Sequence, residues 1–290
     1  MNIYNYIIQP FADYGFMQRA LAACITQGIS SAPLGVFLVL RRMTLLGDAA
    51  SHAILPGAAI AFMFFGVAIL PMTIGGIIAG LLMAIVAGFV TRFTSLKEDA
   101  SFTAAYLTSL AAGVMIISSK GSNVDLLHIL FGNILAVDAD SLKLLNIIAS
   151  ISLITIAAIY RPLIMECFEP GFLKIHQTSG AIYHHLFLIL VVLNMVAAFQ
   201  AVGTLMATGI MILPAISSRL WTKNINKMIF LSMFLGVFSS FVGLLLSYHF
   251  NLPSGPAIII VASFCYIISV LFGYSGGLFF RFFPPKHFHI

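Results

Sequence analysis

Long apolar runs, broken by short polar stretches, fill the chain at about 20–40, 44–69, 71–91, 101–118, 144–160, 186–218, 228–248 and 256–280. Crossing bilayer hydrocarbon takes roughly 20 apolar residues per helix, so the pattern predicts an all-α, polytopic integral membrane bundle of about eight or nine spans. The run 186–218 is the misfit. At 1.5 Å per residue it is about 50 Å long, too long for one crossing and too short for two full ones. Gly203, Gly209 and Pro214 lie inside it, which predicts a broken or re-entrant helix of the kind that lines cavities in transporters.

Small residues recur one turn apart within the runs: Ala49/Ala53/Gly57/Ala61, Gly76/Gly80/Ala84/Gly88 and Ala105/Ser109/Gly113. Such rows let helix backbones approach closely in lipid, and they predict a compact bundle without indicating a cargo. No soluble domain, low-complexity tract or short repeat interrupts the pattern, so residues 1–290 read as one transmembrane domain.

Composition agrees with the pattern. Hydrophobic residues make up 61% and charged residues 8% of the chain, and mean hydropathy is +1.07, whereas soluble domains carry about 25% charged residues. The net charge of +5 calls for no nucleic acid, because basic residues anchoring cytoplasmic loops give the same sign. That rule also orients the chain. With the N-terminus outside and 186–218 running across and back, Arg41, Arg42, Arg92, Lys97, Arg161, Lys174, Arg219, Lys223, Lys227, Arg281 and Lys286 face the cytoplasm; only Arg19, Lys120 and Lys143 stay outside. Cys24, Cys167 and Cys265 are scattered and imply no disulfide framework. The N-terminal residues show no basic region and no small-residue cleavage site, so no removable signal peptide is expected.

One apolar run carries an ionisable pair. Asp48 and His52 are four residues apart, so on a helix they share one face. Pro56 follows on the same row, and its missing N–H leaves the carbonyl of His52 without its helical donor. Carboxylate, imidazole and free carbonyl on one face form a half-site for zinc or manganese. The competing reading is an interfacial acid paired with Arg42 and a neutral histidine bonded between helices.

The stretch "LRRMTLLGDAASHAILPG" (40–57) resembles the opening motif of the permease subunits of bacterial zinc/manganese ABC importers, with Gly47, Asp48, Ser51, His52, Leu55, Pro56 and Gly57 at the matching places. "LFGNILAVD" (130–138), "AVGTLMATGIMILPAISSRL" (201–220) and "LPSGPAIIIVASFCYIIS" (252–269) follow in family order. The resemblance covers nearly the whole chain. It implies a single permease domain that works as a homodimer in the bacterial cytoplasmic (inner) membrane, with Asp48 and His52 in the transport path and a helix break at Pro56 and Gly57. It implies no permanently bound cofactor, the zinc or manganese ion being cargo. Expected partners are a cytoplasmic ATP-binding subunit, an extracytoplasmic metal-binding protein, a second copy of the chain and membrane lipid. Two ligands per chain are fewer than the four zinc takes, so a second copy, water, Gln200, Asn194 or Met206 would complete the shell, although interhelical hydrogen bonding is the favoured role for Gln200 and Asn194.

The polar stretch 166–185 resembles the family's ATPase-docking segment, with Glu166, Glu169, Pro170 and Phe172 as candidate coupling residues. Gln177 stands where a glycine is usual, with Gly180 further on. The competing reading is a solvated interfacial helix. His176, His184 and His185 also fall there, as candidates for a cytoplasmic exit site. On the outer side Asp125, His128, Asp138 and Asp140 either dock a binding protein or cap and solvate a loop. No G-x-x-x-x-G-K-[ST] occurs, so the chain is not expected to hydrolyse ATP or act as an enzyme. A proton-coupled secondary transporter, with Asp48 and His52 relaying protons, is the rival function.

Overall fold

The computed structural model describes residues 7–66, 68–94, 98–119, 134–168 and 180–279. Among them there is no β-strand. A short helix α1 (Gln9–Asp13) precedes α2 (Gly15–Leu40), α3 (Leu45–Phe65), α4 (Ile69–Phe93) and α5 (Glu98–Ser119). A 3₁₀ turn at Ile134–Ala136 leads into α6 (Ala139–Phe168), followed by α7 (Gly180–Val202), α8 (Thr204–Trp221), α9 (Ile225–Phe250) and α10 (Ser254–Phe272). Among the described residues eight helices, α2–α4 and α6–α10, are long and apolar enough to cross a membrane, and α5 has a shorter apolar stretch over Ala100–Ile116.

Contacts between helix ends fix the topology. At the start of α2, Tyr14 meets Tyr248 at 5.8 Å between ring centroids, placing it beside the end of α9. At the other end of α2, Arg41 reaches Glu166 at the end of α6 (2.7 Å) and His184 at the start of α7 (2.8 Å). Arg219, near the end of α8, donates to the carbonyl of Val39 at 3.0 Å. The backbone N–H of Ser275, just past α10, donates to Leu220 at 2.8 Å. The start of α7 and the end of α8 therefore lie on one face of the bundle, so the pair runs across and back. Arg41, Arg42, Arg219, Lys223 and Lys227 gather on that face while Arg19 and Lys143 lie at the other, which makes the Arg41 face cytoplasmic.

The misfit segment is thus broken, not re-entrant. It breaks at Gly203, whose φ of +89° and ψ of 163° only glycine adopts readily. The apolar run understated the helices at both ends: α7 begins at Gly180, ahead of the polar His184 and His185, and α8 continues past Ser218 through Arg219 to Trp221. Each crosses fully.

Buried α2 and α7 form the centre of the bundle. Small-residue rows work as the sequence suggested. Gly57 and Gly75 bring α3 and α4 into backbone contact, and a methyl group on Gly57 would overlap the carbonyl of Gly75. The Ser109 hydroxyl donates to the carbonyl of Ala53 at 3.2 Å, joining α5 to α3. Gly76 and Gly80 face Val196 and Val192 of α7, whereas Gly88 faces open space. α3 itself runs through Pro56 and Gly57 without interruption, correcting the expected helix break. A proline removes one hydrogen bond, and packing by α4 and α5 holds the turns on either side of it.

Candidate metal path

Asp48 lies in the first turn of α3 and His52 in the next. The adjacent Gly47 packs on Met211 and Ile212, midway along α8, so the pair is within the span and not at its mouth. Asp48 Oδ1 and His52 Nε2 are 3.6 Å apart, beyond hydrogen-bond length. Two atoms each about 2.1 Å from a shared ion at a tetrahedral angle would be about 3.4 Å apart. The spacing suits two ligands of one cation better than a hydrogen bond.

The pair lies on an open side of the chain, with 52% of the Asp48 side chain and 25% of the His52 side chain exposed. No salt bridge joins Asp48 to Arg42; its one ion-pair contact among the described residues is His52. Deeper in, the His52 ring stacks on Tyr106 of α5 with centroids 5.9 Å apart and planes 28° apart. Its Nδ1 is buried and has no hydrogen-bond partner among the described residues. Ligating histidines usually anchor that second nitrogen; here aromatic stacking orients the ring.

Gln200 and Asn194 make the interhelical hydrogen bonds expected of them, and Met206 is not available as a ligand. Gln200 accepts from Thr73 at 2.8 Å. Asn194 donates to Ser152 at 2.5 Å and to the carbonyl of Leu190 at 3.0 Å, a link between α7 and α6. Met206 is fully buried in the apolar core. No group of three or more His, Cys, Asp or Glu side chains among the described residues is arranged to hold an ion.

Around the cytoplasmic stretch the structure rearranges the expectations. Glu169, Pro170, Phe172 and His176 lie outside the described residues. Glu166 points inward, paired with Arg41 and only 13% exposed; its carboxylate belongs to the bundle and not to a docking surface. His184 sits on the same arginine, and His185 meets it edge-on at 5.7 Å. A guanidinium has only donors, so His184 Nδ1 accepts and the ring is neutral with its proton on Nε2. A cation beside Arg41 would meet its positive charge, which disfavours an exit site there.

On the outer face Asp125 and His128 also lie outside the described residues. Asp138 caps α6, its carboxylate accepting from the N–H of Ser141 at 3.0 Å, and hydrogen bonding from Ser141 holds its carboxyl below the usual carboxylate range. Asp140 pairs with Lys143 at 3.0 Å. Capping and solvation account for both acids.

Sequence reasoning missed Tyr106 and the role of Arg41. Tyr106 left no signal, since its contact with His52 spans two helices. Arg41 left one: an arginine and an acid, Glu166, each at the cytoplasmic end of an apolar span.

With this geometry in place, likeness to known proteins settles the kind of molecule. Residues 13–273 match the ABC 3 transport family. The chain is 36% identical over 273 residues to the manganese transport system membrane protein MntC of Listeria innocua, covering 94% of this chain and 96% of that one. It is 30% identical to the chelated iron transport system membrane protein YfeD of Yersinia pestis, over 94% and 90% of the two chains. A solved structure, PsaBC from Streptococcus pneumoniae in complex with Fab, superposes with a TM-score of 0.82 at 34% identity, covering 92% of this chain and 95% of that one. These relatives and the eight apolar helices make it a multi-pass bacterial inner-membrane protein and a transport subunit, not an enzyme. The chain belongs to the ABC 3 transport family.

Proposed function

We propose that this chain is the permease of an ATP-driven importer for a divalent transition metal, with manganese the leading cargo and iron next. The observation that carries the reading is the Asp48/His52 pair, spaced at 3.6 Å for a shared cation on an open side of a membrane span. A half-exposed carboxylate facing hydrocarbon is costly, so that face turns toward a partner or a wet path. A second copy across a two-fold axis supplies both, adding a second Asp48 and His52 to complete the shell. The names of the relatives, manganese and iron, move the emphasis from zinc, although the donors suit all three metals. ATP hydrolysis is assigned to a separate cytoplasmic subunit, docked by the segment carrying Glu169, Pro170 and Phe172, and delivery to an extracytoplasmic metal-binding protein.

Reconstitution in liposomes with the ATP-binding subunit and binding protein tests this. Internal manganese, iron and zinc are measured with and without ATP. ATP-dependent accumulation of manganese is the expected result. Accumulation by the chain alone down a proton gradient would replace the proposal with the secondary-transport reading.

A further inference from the structure

Arg41 is one of the most densely bonded side chains on the cytoplasmic face. Its side chain is 7% exposed, and its guanidinium reaches Glu166 at 2.7 Å, His184 Nδ1 at 2.8 Å and Cys167 Sγ at 3.4 Å. It also lies over the Phe187 ring, 5.1 Å from the centroid. Glu166 Oε1 and His184 Nδ1 are themselves 3.5 Å apart, held together by the arginine between them. Three helices meet in this clasp: the end of α2, the end of α6 and the start of α7. The last two are the roots of the 169–179 segment.

On its other side Arg41 continues directly into α3. The link is short and internally bonded: the N–H of Met43 donates to Leu38 at 2.9 Å and that of Arg42 to Val39 at 3.3 Å. Arg42 takes a left-handed conformation, with φ of 59°, a strain that tight closure of the turn explains. Met43 and Leu46 are buried beyond it, and Asp48 follows in the first turn of α3. A buried arginine is held to its acid because separation would strand both charges away from water. Displacement of the α6 and α7 roots therefore draws Arg41 with them, and the short hydrogen-bonded turn passes the movement to α3.

We infer that Arg41 is a positioning residue that couples the roots of the segment between α6 and α7 to the Asp48/His52 pair, so that ATPase movement resets the metal site. This rests on the importer reading above. Arg41 touches no cargo; it acts through α3.

Two variants test it in the reconstituted complex with manganese as the probe. Arg41→Met/Glu166→Met removes both charges together and strands neither. Arg41→Lys keeps the charge but loses the planar fork. The readout is manganese ions imported per ATP hydrolysed. The double variant is expected to assemble and hydrolyse ATP while its ratio falls roughly tenfold, with Arg41→Lys between it and the native complex. A native ratio in the double variant overturns the inference. So does failure of both variants to yield folded complex, which would assign the clasp to stability alone. If the native complex imports no manganese with ATP, the importer reading fails and the inference falls with it.

Discussion

Asp48 and His52 stand out in the sequence as an ionisable pair one turn apart in an apolar run, and the structure brings them to 3.6 Å. Their surroundings do not stand out in the sequence. Tyr106 reaches His52 from another helix, and Arg41 meets an acid far along the chain. Periodicity carries information only within one element, so contacts between elements leave no trace in it. Glu166 shows the consequence: its place in a polar stretch suggested docking, whereas its carboxylate turns inward. Two predictions belong at this scale. Tyr106→Leu removes the ring that orients His52 and is expected to raise the manganese KM in proteoliposome uptake, with Tyr106→Phe near native. Asp138→Ala removes the cap of α6 and should lower stability by roughly 1 kcal/mol, read by thermal unfolding in detergent. Because the folded-state pKa of Asp138 is depressed, its contribution is present above the ordinary carboxylate value, about 3.9, and is lost as pH falls through the lower folded value. The difference between native and variant should therefore shrink in strong acid.

Helices were legible where hydropathy alone defines them, and their ends were not. The apolar run 186–218 hid two full crossings because Tyr183, His184 and His185 before it and Arg219 after it are helical but polar. Pro56 was overread for a related reason: a proline signals a break in isolation, while packing through Gly57 and Gly75 keeps α3 helical through it. Two glycines therefore carry element-level predictions. Gly203→Val places a β-branched residue at φ +89° and should cost about 1–3 kcal/mol, seen as a lower Tm. Gly57→Leu forces α3 and α4 apart, with a penalty of similar size, about 1–3 kcal/mol, and lower uptake because α3 carries the metal pair.

At the scale of the whole molecule, the ring of contacts at Arg41, His184, Arg219 and Leu220 puts helix ends from across the chain on one face. Charge distribution in the sequence anticipated that arrangement, because basic residues mark the cytoplasmic side whatever the helix boundaries. Cysteines at two positions check it. Lys223→Cys should react with an impermeant thiol reagent only from the cytoplasmic side, and Asn251→Cys only from outside. A single crossing by 186–218 would reverse both. The proposed metal path has two candidate ligands per chain, on an open face, which is why a second copy enters the proposal. The most direct test of that path is initial manganese uptake by the reconstituted complex carrying Asp48→Asn or His52→Gln, with ATP hydrolysis followed in parallel. Both variants should assemble and hydrolyse ATP while uptake falls by at least about tenfold. Native uptake by folded complexes of both variants would contradict the account and move the path away from α3.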